Sequence, residues 1–512
     1  MSKRKKFAFA AALTGATAAA VTAGMFVRHE VARRRPFVIE EASIADLQKA
    51  MKLGMLTAKQ LTDWYLERIQ HFSKLHAIIE INPQALRDAE ASDVKRMVKP
   101  DVGPLFGIPV VVKDNIKASG MHTTVGAFAL KDYCPSEDAF LVSRLKAAGA
   151  IIIGKANLTE FANFISESMP DGFSTIGGQT LNPYDSACNV GGSSSGSAVA
   201  VAANLAAAAI GTETSGSILD PAAANAVVGI KPTVGLISRS GIVPIAHSQD
   251  TAGTLAKTVY DAALLLSVIA GLDEEDEETV WSQGEVKKDY TVFLKSKGLR
   301  GARVGIDRSF LAQESEEATA LIDRALQIMR TQGAAVVDPI AIPSADTLEH
   351  RYSSVLQQEF HRDINHFLSD LPESLPVHSL PELIAYNQAH AGDALAYGQA
   401  VFEQVNARSG DLSERSYLVD RADDIRLSRK EGIDAVMRTH HLDALLFIDS
   451  SGADLAAKAG YPSITVPAGF TASGVPVGLT FTGMAFSEPR LLELAYAFEQ
   501  TTHFRRAPQL EQ

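Results

Sequence analysis

Two short apolar runs, each closing on a lysine and joined through a helix, constrain this chain most. GIPVVVKDNI (107–116) and GAIIIGKANL (149–158) concentrate β-branched residues without polar alternation, the pattern of strands buried on both faces. Between them DAFLVSRLKAAGA (138–150) carries one apolar helical face. Strand, helix, strand in that order predicts an α/β core.

The rest of the chain extends that pattern. Residues 44–72 repeat apolar side chains at spacings of three and four and read as two amphipathic helices, broken near Gly54, with Thr57 as N-cap of the second. Residues 166–195 are polar and glycine-rich, hence loop; 197–214 give a short helix, a turn at Asn204 and an apolar strand. VVGIKPTVGLIS, ARVGID, DALLFIDSS, YPSITVPAGF and VGLTFTGM read as further strands, 340–440 as helical, and 488–504 as a final helix. GLDEEDEET (271–279) reads as a solvated loop rather than a cation site. No linker divides the body, which predicts one large domain.

Composition narrows the class. With 46% hydrophobic and 21% charged residues in 512, the chain has enough apolar content for a sizeable core, which excludes a disordered protein. Charge is unevenly placed: residues 1–35 carry +7 and the remainder −19. An acidic body lacks the clustered cations that phosphate contacts require, so no nucleic-acid partner is expected. KRKK (3–6) precedes an uncharged run at 7–27, long enough to span a bilayer as a helix. It reads as an export signal or an uncleaved membrane anchor, placing the protein outside the cytoplasm or on a membrane; a frayed alanine-rich helix on a cytoplasmic protein is the alternative. Cys134 and Cys188 do not make a disulfide framework, and no metal-ligand spacing is present.

Several serine and lysine patterns bear on chemistry. GAIIIGKA (149–156) matches G-x-x-x-x-G-K, but its β-branched gap is a strand rather than a phosphate cradle. Ser143 and Lys146 match S-x-x-K, yet sit on an amphipathic helix with no companion motif. GGSSSGS (191–197) contains G-x-S-x-G centred on Ser194; a nucleophile elbow needs a buried strand just before it, whereas NPYDSACNV (182–190) reads as turn. A different serine, Ser217, follows an apolar strand and Ser215-Gly216, small residues that leave backbone N–H groups uncovered. Lys113 ends PVVVK, where burial favours the neutral amine a base requires; a salt bridge to Asp114 is the competing role.

Taken together, GIPVVVKDNI, DAFLVSRLKAAGAIIIGKANLTEFANF, GGQTLNPYD, the stretch from Gly191 to Gly241 and AGYPSITVPAGF resemble the amidase signature enzymes over residues 44–508. Within that family the TETxGSI, PAAAN and SQDTAG segments look closest to the peptide-amidase-like branch. The resemblance implies a single large domain with a mixed central sheet covered by helices on both faces, and a Ser–Ser–Lys triad. It makes Lys113 the general base, Ser193 (after a cis peptide) the proton relay and Ser217 the nucleophile. Backbone N–H groups of Thr214, Ser215, Gly216 and Ser217 would hold the oxyanion, with Ser194 supporting the relay. It implies amide C–N hydrolysis of a small-molecule or peptide amide through an acyl-enzyme, with no cofactor and no metal, and sets no oligomeric state. Two other functions stay open at this point: the A-type subunit of a tRNA-dependent amidotransferase, which hydrolyses glutamine, and a surface-binding protein with a dead hydrolase fold.

The family pattern is not matched everywhere. Ser215 stands at a common glycine, Leu219-Asp220 where an arginine often follows the nucleophile's isoleucine, and Thr254 at a frequent proline. These departures bear on substrate preference rather than on the triad.

Overall fold

A computed structural model describes residues 37–99 and 102–510; the export or anchor segment at 1–35 lies outside them. The apolar runs become the strands that the sequence predicts. An eleven-stranded sheet contains β1 (Ile78–Ile81), β2 (Pro109–Lys113), β3 (Ile151–Ala156), β4 (Ala208–Glu213), β5 (Val228–Lys231) and β6 (Thr251–Ala256). It continues with β7 (Arg303–Asp307), β8 (Ala335–Ile340), β9 (Ala444–Ile448), β10 (Ser463–Phe470) and β11 (Pro476–Thr482). Their spatial order is β1-β3-β2-β4-β6-β5-β10-β11-β9-β7-β8. The sheet is mixed: β3, β2 and β4 run parallel, as do β9, β7 and β8, while antiparallel pairs join the two groups. Helices flank it throughout.

Local signals set the helix ends. Helix α1 (Ile44–Lys52) starts at Ser43 and α2 (Ala58–His71) at Thr57, both with reciprocal capping boxes, to Asp46 and Gln60. Helix α3 (Phe140–Ala147) crosses from β2 to β3. Lys146 on it pairs with Asp138 at 2.7 Å on the surface, as its amphipathic position predicts. Three expectations change. TVGLIS is not strand: β5 stops at Lys231, because Pro232 has no N–H to offer the ladder. β6 and β1 lie where no strand is expected, in stretches without a continuous apolar run. Cys134 and Cys188 are both free thiols. Among the described residues, no helix is long and apolar enough to cross a membrane.

Helix α4 (Ser195–Ala202) sits at the centre of this arrangement. Its residues are Ser, Gly, Ala and Val, and every one is buried, as in a helix packed on all sides. Small side chains let it approach the backbone closely. A Cβ on Gly196 would lie 2.4 Å from the Ala77 carbonyl oxygen and 2.5 Å from that of Asn157, and the Gly196 N–H donates to that same Asn157 carbonyl. Neither neighbour is a flexible side chain. Gly196→Ala is therefore expected to reduce the unfolding free energy by about 3 kcal/mol or more, measured as a lower denaturant midpoint; an unchanged midpoint would contradict this packing.

Candidate active site

Three loops meet at one end of the sheet, past the carboxyl ends of β2 and β4, where ligands of open α/β sheets commonly bind. β2 delivers Lys113, the loop before α4 delivers Ser193 and Ser194, and the loop after β4 delivers Thr214 to Ser217. Register fixes the first contact: Val112 pairs with Ile210, which sets the end of β2 beside Thr212.

Lys113 is fully buried. Its Nζ lies 2.8 Å from Ser193 Oγ, 3.0 Å from Thr212 Oγ1 and 3.3 Å from the Thr212 carbonyl oxygen. No carboxylate lies within salt-bridge distance among the described residues. The alternative partner, Asp114, pairs instead with Lys155 of β3 at 3.0 Å. That pair also explains the P-loop-like GAIIIGKA, whose lysine is a buried structural group also donating to the His122 carbonyl. Burial pushes the Lys113 amine down to about 7, against the opposing fields of Glu213 and Asp250. A neutral amine has two N–H donors and one lone pair. Thr212 supplies two acceptors, its carbonyl and its hydroxyl oxygen, so the lone pair is left to receive the Ser193 O–H.

Ser193 is completely buried, and the Gly192–Ser193 peptide is cis. Ser194 is not an elbow nucleophile: loop, not strand, precedes it. Its hydroxyl donates to the Thr212 carbonyl at 3.0 Å and accepts the Thr212 N–H at 3.2 Å, and its own N–H donates to the Ser217 carbonyl at 3.1 Å. Ser194 thus ties the two serine loops together without touching either the Ser193 or the Ser217 hydroxyl. Ser217 is 8% exposed, and its hydroxyl has no hydrogen-bond partner among the described residues.

The proposed oxyanion donors need one correction. The Gly216 N–H is not free: it donates to Glu213 Oε1 at 2.8 Å. Glu213 Oε2 accepts from Ile218 at 2.7 Å and Leu219 at 3.1 Å. Burial raises this carboxyl, and three backbone donors together with the field of Lys231 oppose the rise. A buried carboxylate needs such partners, so Gly216 is drawn to it. The N–H groups of Thr214, Ser215 and Ser217 have no acceptor among the described residues.

Three carboxylates that sequence reasoning left without roles hold these loops. Glu213 curls the nucleophile loop. Asp250, pushed up to about 6 by burial, accepts the Thr214 hydroxyl at 2.5 Å and the N–H groups of Ile245 and Ala246. Asp220, also near 6 through burial, accepts the Gly192 N–H at 2.9 Å. The only sequence signal for Glu213 is an acid closing an otherwise apolar strand. Asp220 is one of the departures noted above, and it braces the loop ahead of Ser193. Among the described residues, no group of His, Cys, Asp and Glu is placed to hold a metal ion.

Known proteins share this arrangement. Residues 60–492 match the family model described as Amidase. A probable amidase of Arabidopsis thaliana is 41% identical over 483 residues, 92% of each chain. The native peptide amidase of Stenotrophomonas maltophilia is 44% identical, with a TM-score of 0.88 covering 93% of this chain and 100% of that one. A glutamyl-tRNA(Gln) amidotransferase subunit of Halorhodospira halophila, of the glutamine-hydrolysing type considered above, is 36% identical over only 331 residues, 64% of this chain and 66% of its own. The chain belongs to the amidase family and is an enzyme that hydrolyses amide C–N bonds.

Proposed function

We propose that this amidase removes the carboxamide nitrogen from the C terminus of a peptide or of a small amino-acid-like amide, through an acyl-enzyme on Ser217. The observation that carries the mechanism is the buried, carboxylate-free Lys113 amine 2.8 Å from Ser193. Likeness to a peptide amidase over almost the whole chain supports the substrate class. Glutamine hydrolysis for a tRNA-dependent amidotransferase is the weaker alternative, because that likeness covers a smaller part of both chains.

The steps follow from the hydrogen-bond directions. Substrate brings the Ser217 hydroxyl to Ser193; the Ser217 proton passes to Ser193 as the Ser193 proton passes to Lys113 Nζ. Ser217 Oγ attacks the carbonyl carbon, and the oxyanion lies against the open N–H groups of Thr214, Ser215 and Ser217, each worth a few kcal/mol in such a role. Collapse breaks the C–N bond, and the nitrogen leaves with the proton returned through Ser193. Water then attacks the acyl-enzyme by the same relay, releasing the carboxylic acid and restoring the Ser217 hydroxyl.

Ser217→Ala and Lys113→Ala are each expected to reduce kcat/KM for a peptide amide by about a thousandfold or more, and Ser193→Ala by about a hundredfold or more, measured by ammonia release. Full activity in the Ser217 or Lys113 variant would reject the assignment. The base must be neutral to act, so kcat/KM is expected to rise with pH through about 7 and level off above it; a limb falling across that range would assign the titration to another group. Residues 7–27 are read as an export signal or anchor. Cell fractionation should then place the full-length protein in the membrane or extracytoplasmic fraction, and recovery in the cytoplasm alone would discard that role.

A further inference from the structure

Behind the end of β4 lies a cavity of about 430 Å³, large enough for a small organic molecule. Thr212, Glu213 and Thr214 form one wall. The same residues hold, respectively, Lys113, the nucleophile loop and the Asp250 carboxyl. Ser217 lies three residues further on and does not line the cavity, so a ligand here sits beside the nucleophile rather than on it. The facing wall is apolar, built from Ile242 to Ile245 and Phe367.

Two observations define the chemistry. Asn115, 2% exposed, closes the inner end; its amide nitrogen donates to Thr212 Oγ1 at 2.9 Å, while its side-chain oxygen has no partner. The charged groups form the second. Arg239 is held by Asp276, and His247 by Asp363 at 2.7 Å. Lys117 lies over the Phe367 ring. Glu275 and Asp370 at the mouth are exposed and pair with no lysine or arginine among the described residues. The acidic run at 272–279 therefore stands at a cavity entrance rather than on a featureless loop. An unpartnered acceptor inside, uncompensated carboxylates outside and apolar walls between them suit a donor-rich cation on a short hydrocarbon stem.

We propose that this cavity binds an organic cation, an ammonium or guanidinium on a short apolar chain, against the strand end that anchors the catalytic lysine. The cation is either a basic side chain of the amide substrate or a free amine. The first of these rests on the amidase mechanism above; binding itself does not.

The test uses the full chain carrying Ser217→Ala, titrated calorimetrically with butylguanidine and with its neutral isostere butylurea. Saturable binding of butylguanidine, about tenfold or more tighter than butylurea, is expected. The affinity should fall stepwise in Glu275→Gln/Asp370→Asn and Glu275→Lys/Asp370→Lys, with circular dichroism and the denaturant midpoint verifying that both fold. Equal binding of the two compounds, or an affinity unchanged by charge reversal, would overturn the proposal. With wild-type Ser217, kcat/KM for arginine amide about tenfold above norleucine amide identifies the substrate side chain as the source. Equal turnover of both amides, with butylguanidine altering that turnover, identifies a free amine. Absence of any amide hydrolysis would count against the mechanism proposed above and leave the binding result intact.

Discussion

The desolvated amine of Lys113 is the constraint around which the site is arranged. An ammonium buried without a carboxylate is strongly disfavoured, and the one adjacent carboxylate in sequence, Asp114, is held by Lys155. The amine is therefore tuned toward its neutral form and made to point: two N–H groups face Thr212, and the lone pair faces Ser193. This places demands on the fold. β4 must lie beside β2 in the register that brings Thr212 to Lys113, and α4 must sit deep enough to carry Ser193 to the same point, which only a helix of small residues can do.

Around that amine the loops are shaped by carboxylates acting as acceptors rather than as counter-ions. Glu213, Asp220 and Asp250 each take backbone N–H groups from the segments they brace. Fixed dipoles aimed at the reacting atoms avoid reorganisation during the reaction, and networks of this kind hold only if every member is satisfied. The same requirement removes Gly216 from the oxyanion donors: its N–H satisfies Glu213. The open donors are then the residues on either side of it.

Much of this was legible in the chain. β2 and β3 showed as β-branched runs, Thr57 as a cap, and Lys113, Ser193 and Ser217 through the motifs that carry the family resemblance. What escaped was non-local. TAGTLA pairs on both sides as β6 although it is mostly small residues, because burial there comes from neighbouring strands rather than from its own hydrophobicity. Whether Lys113 or Lys155 would claim Asp114 depends on which strand end faces the carboxyl. The loss of Gly216 to Glu213 depends on a loop curling back over three residues, a geometry that no spacing encodes.

Burying so many ionisable groups has a consequence for the molecule as a whole. Asp220, Asp250 and Asp261 are raised to about 6, and Glu160, Asp449 and Glu499 to about 7, in each case chiefly by burial. Between pH 4 and 7 the folded state keeps protons on these acids that the unfolded chain has released, so their contribution to stability declines as pH rises. Lys113, Lys231 and Lys257 are lowered to about 7, 8 and 8. From there to about 10.5 the unfolded chain holds the extra protons, and the lysines' contribution grows with pH. The two families of groups thus place a shallow trough in the proton-linked stability near neutrality. The enzyme's base titrates in the range where its interior ionisable groups support the fold least.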